Sequence, residues 1–182
     1  MKVIGVVGLP ASGKGEVSRI ARSLGIPVVV MGDVIREEVA RAGLPGTDGN
    51  LGETANRLRR ERGMAAIAEL SLPAIERAEG PVVLVDGIRG DAEVDLFRSR
   101  FDEFYLIGVD APFATRLARL ASRGREDDVI TGEELVERDR REISWGLGRA
   151  MAAADYLICN DGTVEELAVE VHRLFDEIRE GP

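Results

Sequence analysis

The sequence is short of lysine, cysteine, histidine and aromatic rings. Of 182 residues one is cysteine, one is histidine, and Phe, Trp and Tyr together make up 4%. The single cysteine, Cys159, excludes an internal disulfide framework and fits a reducing cytoplasm. No apolar run approaches the ~18 residues that a membrane span needs. The opening Met1-Lys2-Val3-Ile4-Gly5 is interrupted by glycine too early for a signal-peptide core. Positive charge is in deficit: 24 Lys and Arg against 33 Asp and Glu give a net charge of −9. With a pI near 4.8, general nucleic-acid binding is disfavoured, because it relies on a basic face that neutralises phosphates. Lysine is the scarcest base. Only Lys2 and Lys14 occur, and Lys14 stands in a glycine-rich loop.

What is present is ordinary for a globular chain, 45% apolar and 31% charged, and the length suits one domain spanning 1–182. Apolar strand patterns alternate with helical ones. Strands are expected at Lys2 to Val7, Pro27 to Met31, Pro81 to Val85, Glu103 to Val109 and Asp155 to Cys159. Helices are expected at Glu16 to Leu24, Asp33 to Ala42 with Asp33 as cap, and Glu53 to Ala78 in two pieces divided near Gly63 or Pro73. Further helices are expected at Asp91 to Arg100, Pro112 to Ser122, Glu133 to about Ala153, and Val164 to Glu180. Leu44 to Asn50 reads as a loop. The alternation predicts an α/β fold, a five-stranded parallel sheet with helices on both faces, and sites beyond the strands' carboxyl ends.

Gly8-Leu9-Pro10-Ala11-Ser12-Gly13-Lys14-Gly15 lies between the first strand and first helix. This G-x-x-x-x-G-K pattern is a phosphate-binding loop, with backbone N–H groups cradling a polyphosphate and Lys14 reaching its outer phosphates. A tight turn with an incidental lysine is the plainer alternative. Gly15 stands where Ser or Thr normally gives a hydroxyl to Mg²⁺. The metal must then be held through water, Ser12 or another acid, and Glu16 is expected to point away or to orient a metal-bound water. Asp86 ends an apolar strand, as a metal-organising acid does, although Asp-Gly is also a common turn.

Several segments resemble the P-loop nucleotide kinases. The G-K-G loop and Asp86-Gly87-Ile88-Arg89 are similar to adenylate kinases, whose D-G-F-P-R arginine clamps the acceptor phosphate. Met31-Gly32-Asp33-Val34-Ile35-Arg36 is similar to their T-G-D-x-x-R, with Met31 in place of threonine. Asp33 also matches the aspartate that acts as base in dephospho-coenzyme A kinases, a role that competes with simple capping. Ala154 to Leu167 resembles the A-D-x-x-I-x-N-x-G-x-x-E-E-L segment of those kinases, which places Asn160 and Gly162 against the adenine. The mixture looks like an archaeal family of kinase-like P-loop proteins.

The resemblance implies a three-layer P-loop NTPase fold of nucleotide-kinase type, with an acceptor-side helical insertion at about 33–80 and a lid at about 122–142. It also implies ATP and Mg²⁺ as cofactors and a small phosphate-bearing acceptor. Lys14, Asp33 and Arg123 are then catalytic, Gly8 to Gly15 with Asn160 and Gly162 hold the nucleotide, Arg36 and Arg89 hold the acceptor, and Asp86 serves the metal. Arg119, Arg123 and Arg125 are candidate lid arginines on one side, Arg138 and Arg141 on the other. The run Asn56 to Arg62 is either part of the acceptor wall or a solvated face. Cys159 is expected in the core, and His172 is expected to be inert. Trp145 with Gly146 and Gly148 marks a hinge or a kink. A regulator or slow ATPase without acceptor is the other class that the loop allows.

Overall fold

The computed structural model describes residues 1–123 and 131–181. Five parallel strands, β1 (Lys2–Val7), β2 (Val28–Val30), β3 (Val82–Ile88), β4 (Phe104–Asp110) and β5 (Tyr156–Cys159), form one sheet in the order β2-β3-β1-β4-β5. The helices are α1 (Lys14–Ser23), α2 (Met31–Arg41), α3 (Asp48–Arg62), α4 (Ala66–Glu76), α5 (Asp91–Arg100), α6 (Phe113–Arg123), α7 (Gly132–Ser144), α8 (Leu147–Ala152) and α9 (Val164–Glu180). Because side chains alternate along a strand, each central strand feeds two cores. Val3, Val83, Val85 and Leu106 pack with α3, α4, α5 and α8, whereas Ile4, Leu84, Ile107 and Val109 pack with α1 and α9. This is the expected three-layer architecture, and it sets the loop after β1 at the strands' carboxyl ends.

Five local expectations need correction. Asp33 does not cap α2, which starts at Met31 with Val30 as its cap residue. The loop at Leu44 to Asn50 is cut short, because Thr47 accepts from the Asn50 N–H and α3 begins at Asp48. The third strand does not stop before Asp86-Gly87: β3 runs on to Ile88, so the turn weighed as the alternative there does not form, and the register with β1 shifts as Val6 faces Asp86 and Val7 faces Ile88. The long helix from Glu133 is two helices, broken at Gly146, whose φ of 98° suits glycine. Cys159 is exposed, because β5 is the sheet edge. Of the two division points proposed in the helix pair after residue 53, Gly63 is the break, and Pro73 lies inside α4.

Candidate functional site

The loop after β1 is held in shape by side-chain donors to its carbonyls. Lys14 donates to the carbonyls of Gly8 (2.6 Å) and Leu9 (2.9 Å). Arg116 donates to the Pro10 carbonyl at 3.2 Å, and Asn160 Nδ2 to the Ser12 carbonyl at 2.7 Å. Arg119 reaches the Ala11 and Ser12 carbonyls, and also the Asn160 carbonyl and side chain. In a trans peptide C=O and N–H point in opposite directions, so the Pro10 and Ser12 carbonyls, drawn to Arg116 and Asn160, turn the Ala11 and Gly13 N–H groups the other way. The left-handed residues Ala11 (φ 60°) and Gly13 (φ 119°) give the curvature of an anion-binding nest. Gly13 is also sterically required, because a Cβ there would sit 2.2 Å from Asn160 Nδ2.

In front of the loop lies a cleft of about 350 Å³. Its floor is Pro10, Ala11, Gly13, Lys14 and Gly15, and Asp86 and Ser18 stand beside them. Ser18 donates to Asp86 Oδ2 at 2.7 Å. The lining also includes Arg36, Arg89, Arg138 and Arg141 together with Asp48 and Glu142. Arg89 donates to Glu142 at 2.5 Å, and Arg141 to Asp48 at 2.8 Å. Met31, Ile35, Leu51, Ala55 and Ile67 supply an apolar side.

The charges feel one another. Burial and the Arg89 charge lower Lys14 to about 7, while Glu142 and Asp86 pull it upward. Burial pushes Glu142 up, but Arg89, Lys14, Arg138 and Arg141 together hold it below the usual carboxylate range. Glu93, fully buried, is raised by burial against the pull of Arg59. It accepts from the backbone N–H groups of Arg89 (2.6 Å) and Gly90 (3.2 Å) and from Arg59 (2.9 Å), which fixes the start of α5. Arg59 in turn lies 4.1 Å over the Trp145 ring.

Most of the expected site residues therefore come together. Pro10, Ala11, Gly13, Lys14, Gly15, Arg36, Asp86 and Arg89 all line the cleft. Gly8, Leu9 and Asn160 support the loop, and Gly162 lies in the turn before α9, away from the cleft lining. Ser12 Oγ is buried without a hydrogen-bond partner, and the hydroxyl that meets Asp86 is that of Ser18. Glu16 turns aside to Arg19. Asp33 is exposed and accepts from Arg36 at 2.8 Å, outside the cleft lining. The Arg123 side chain and Arg125 lie outside the described residues. Arg119 serves the loop carbonyls, whereas Arg138 and Arg141 do face the cleft. In the Asn56 to Arg62 run Arg59 turns inward and Arg60 and Arg62 are exposed.

Sequence reasoning missed Ser18, Arg116, Asp139, Glu93 and Asp48. Ser18 was legible in principle, since it stands three residues after Gly15 and hence on the same face of α1 one turn deeper. Arg116 and Asp139, paired at 2.7 and 2.9 Å, are 23 residues apart and nothing local announces their contact.

A family model described as an AAA domain matches residues 7–135. A UPF0200 protein of Methanoculleus marisnigri is 60% identical over 174 residues, covering 96% of this chain and 95% of that one. A UPF0200 protein of Methanoregula boonei is 57% identical over 182 residues, covering 100% of both. Among solved structures, TT1252 from Thermus thermophilus is similar with a TM-score of 0.63 and 21% identity, over 96% of each chain. A shikimate kinase from Bacteroides thetaiotaomicron gives a TM-score of 0.63 at 17% identity, over 97% of this chain and 99% of that one. At these identities the structural likeness speaks for the fold, a kinase-like P-loop fold.

Proposed function

The chain belongs to the UPF0200 family, and we propose that it is a Mg²⁺- and ATP-dependent kinase acting on a small phosphate-bearing acceptor. The observation that supports this reading is one cleft lined by two sets of cationic groups: the Lys14 loop, and the guanidinium groups of Arg36, Arg89, Arg138 and Arg141. A binder of one polyphosphate needs only the first. Phosphoryl transfer consists mostly of positioning and charge stabilisation, so two facing cationic sites are its main requirement.

Lys14 leaves the Gly8 and Leu9 carbonyls to hold the donor phosphates, and the loop amides orient them. Arg36 and Arg89 hold the acceptor's phosphate, and Arg138 and Arg141 reach the transferring group from α7. The donor set at Asp86 suits Mg²⁺, which keeps several waters and takes one or two carboxylates plus substrate oxygens. Among the described residues no cluster of three or more acids, histidines or cysteines offers a complete protein cage, and Asp86, oriented by Ser18, would hold the metal's waters. Held there, Mg²⁺ would supply neutralisation of the donor's phosphate charge. Asp33, paired with the cleft residue Arg36, is the residue that would take the proton of a hydroxyl acceptor; a phosphate acceptor needs no base.

The second reading, a regulator or slow ATPase, is favoured by Gly15, which removes the metal-binding hydroxyl. Incubation with γ-labelled ATP against nucleoside monophosphates and dephospho-coenzyme A separates the two. Label on an acceptor well above released phosphate supports the kinase; released phosphate alone rejects it.

A further inference from the structure

Glu142 has no task in the reaction just outlined, yet it sits in the middle of the arginine wall, 3% exposed. Its two oxygens are engaged differently. Oε2 accepts from Arg89 at 2.5 Å, and Oε1 makes a longer contact of 3.5 Å with Arg138. Anchoring α7 to the fold does not require it, because Asp139 on the same helix is held by both terminal nitrogens of buried Arg116. The backbone at Arg89 is fixed by Glu93, so a ligand that takes the Nη1 edge of this guanidinium must come to the place where Glu142 now is.

We propose that Glu142 is the resident anion of the acceptor half-site: it holds the position on Arg89 that the acceptor's phosphate takes, and binding exchanges one anion for the other. This rests on the reading of Arg89 as a ligand of the acceptor phosphate. The exchange selects by charge. A phosphomonoester carries about −1.5 to −2 at neutral pH and offers three oxygens to a bidentate guanidinium. When it displaces Oε2, Glu142 keeps Arg138, with Arg141 and Lys14 close by, and is not left as a stranded buried charge. A ligand carboxylate brings one charge and two oxygens, no more than Glu142 itself. Glu142 is tethered to the cleft and therefore present at high effective concentration, so it outcompetes such a ligand. The residue determines specificity by admitting phosphomonoesters and turning carboxylates away.

The test uses the full chain loaded with Mg–ADP, so that the donor loop is filled, and compares phenyl phosphate with benzoate by calorimetry. Wild type is expected to bind phenyl phosphate at least about thirtyfold more tightly than benzoate, a contrast of two charges with one. In Glu142→Gln, which keeps the shape and removes the charge, both should bind more tightly and benzoate should gain more, narrowing the ratio by about tenfold. Wild type that binds the two equally, or binds neither, overturns the proposal without reference to any variant. So does a ratio unchanged in a Glu142→Gln protein whose thermal melt shows it folded. The two readings fail separately. If the selectivity holds but no acceptor is phosphorylated, the exchange stands and the kinase reading falls. If an acceptor is phosphorylated and the ratio does not move, the kinase reading stands and the exchange falls.

Discussion

Lys14 is the residue on which charge, burial and chemistry meet. An unperturbed lysine loses its proton near 10.5, whereas Lys14 in the fold does so at about 7 because burial and Arg89 disfavour its charge. Between these values the unfolded chain holds a proton that the folded one has released. The ligand-free protein should therefore gain stability as pH rises across that window, the full cost of the buried charge being felt below about 7. Bound phosphates act in the other direction, since they favour the ammonium. ADP binding at pH 8 should then take up about one proton, read as a dependence of calorimetric enthalpy on the buffer's ionisation enthalpy. Buffer-independent enthalpy, or an equal uptake by Lys14→Ala, would contradict this. The scarcity of lysine also acquires a meaning, because a compact ammonium fits among loop carbonyls where a planar guanidinium would crowd them.

Gly15 makes a second residue-scale test. A Cβ built there meets nothing within 4 Å, so Gly15→Ser fits and returns the hydroxyl that the loop lacks. It should stabilise α1 by about 0.3–0.5 kcal/mol through helix propensity. It should also tighten Mn²⁺ binding in the ADP complex several-fold, measured by the metal's paramagnetic resonance. Unchanged metal affinity would mean that the ion is not beside Gly15.

At the scale of elements, the arginine-lined wall proposed for the acceptor depends on how α5 meets the break between α7 and α8. Gly90 lies so close that a Cβ would stand 2.3 Å from the Trp145 carbonyl oxygen. Gly90→Ala must push these elements apart and shift Arg89 with them. It should cost about 1–3 kcal/mol, seen as a Tm drop of about 2–4 °C per kcal/mol. ADP affinity should hold while phosphate transfer to an acceptor is lost, and a loss of both alike would refute the division of the cleft into two ends.

The elements also show what a sequence can carry. The runs Val82 to Val85 and Val164 to Glu180 are local signals, and β3 and α9 were legible from them. The Asp86-Gly87 bulge was not, because β1 settles it. A hinge or kink at Trp145 to Gly148 was legible from its glycines, whereas the full break at Gly146 is set by Gly90 and Asp91 pressing on residues 145–146. Cys159 was misplaced for a related reason. Its strand is apolar, but whether it lies inside depends on the strand order, which the sequence does not state. In the site, the loop and Arg89 were readable as contiguous motifs, whereas the pairs Arg116–Asp139 and Arg59–Glu93 join distant segments.

Across the whole molecule, an acidic chain builds a cationic cleft. Seven basic residues line it against Asp48, Asp86 and Glu142, in a protein whose net charge is −9. Repulsion among Lys14, Arg89, Arg138 and Arg141 is relieved by a bound polyphosphate, so nucleotide should stabilise the fold. At a hundred times its Kd, Mg–ATP should add about 2.7 kcal/mol, or roughly 5–10 °C in Tm for a chain of this size. No rise with nucleotide, against a normal melt without it, would remove the donor site from the account.

The most direct test compares wild type with Arg89→Ala for the fate of the γ-phosphoryl group of labelled ATP, with the preferred acceptor present and absent. Wild type is expected to send most label to the acceptor. Arg89→Ala is expected to lose this transfer by about a hundredfold or more, as removal of a charged phosphate ligand does, while slow hydrolysis to free phosphate continues. Label released only as phosphate by both proteins, whichever acceptor is offered, would contradict the kinase reading.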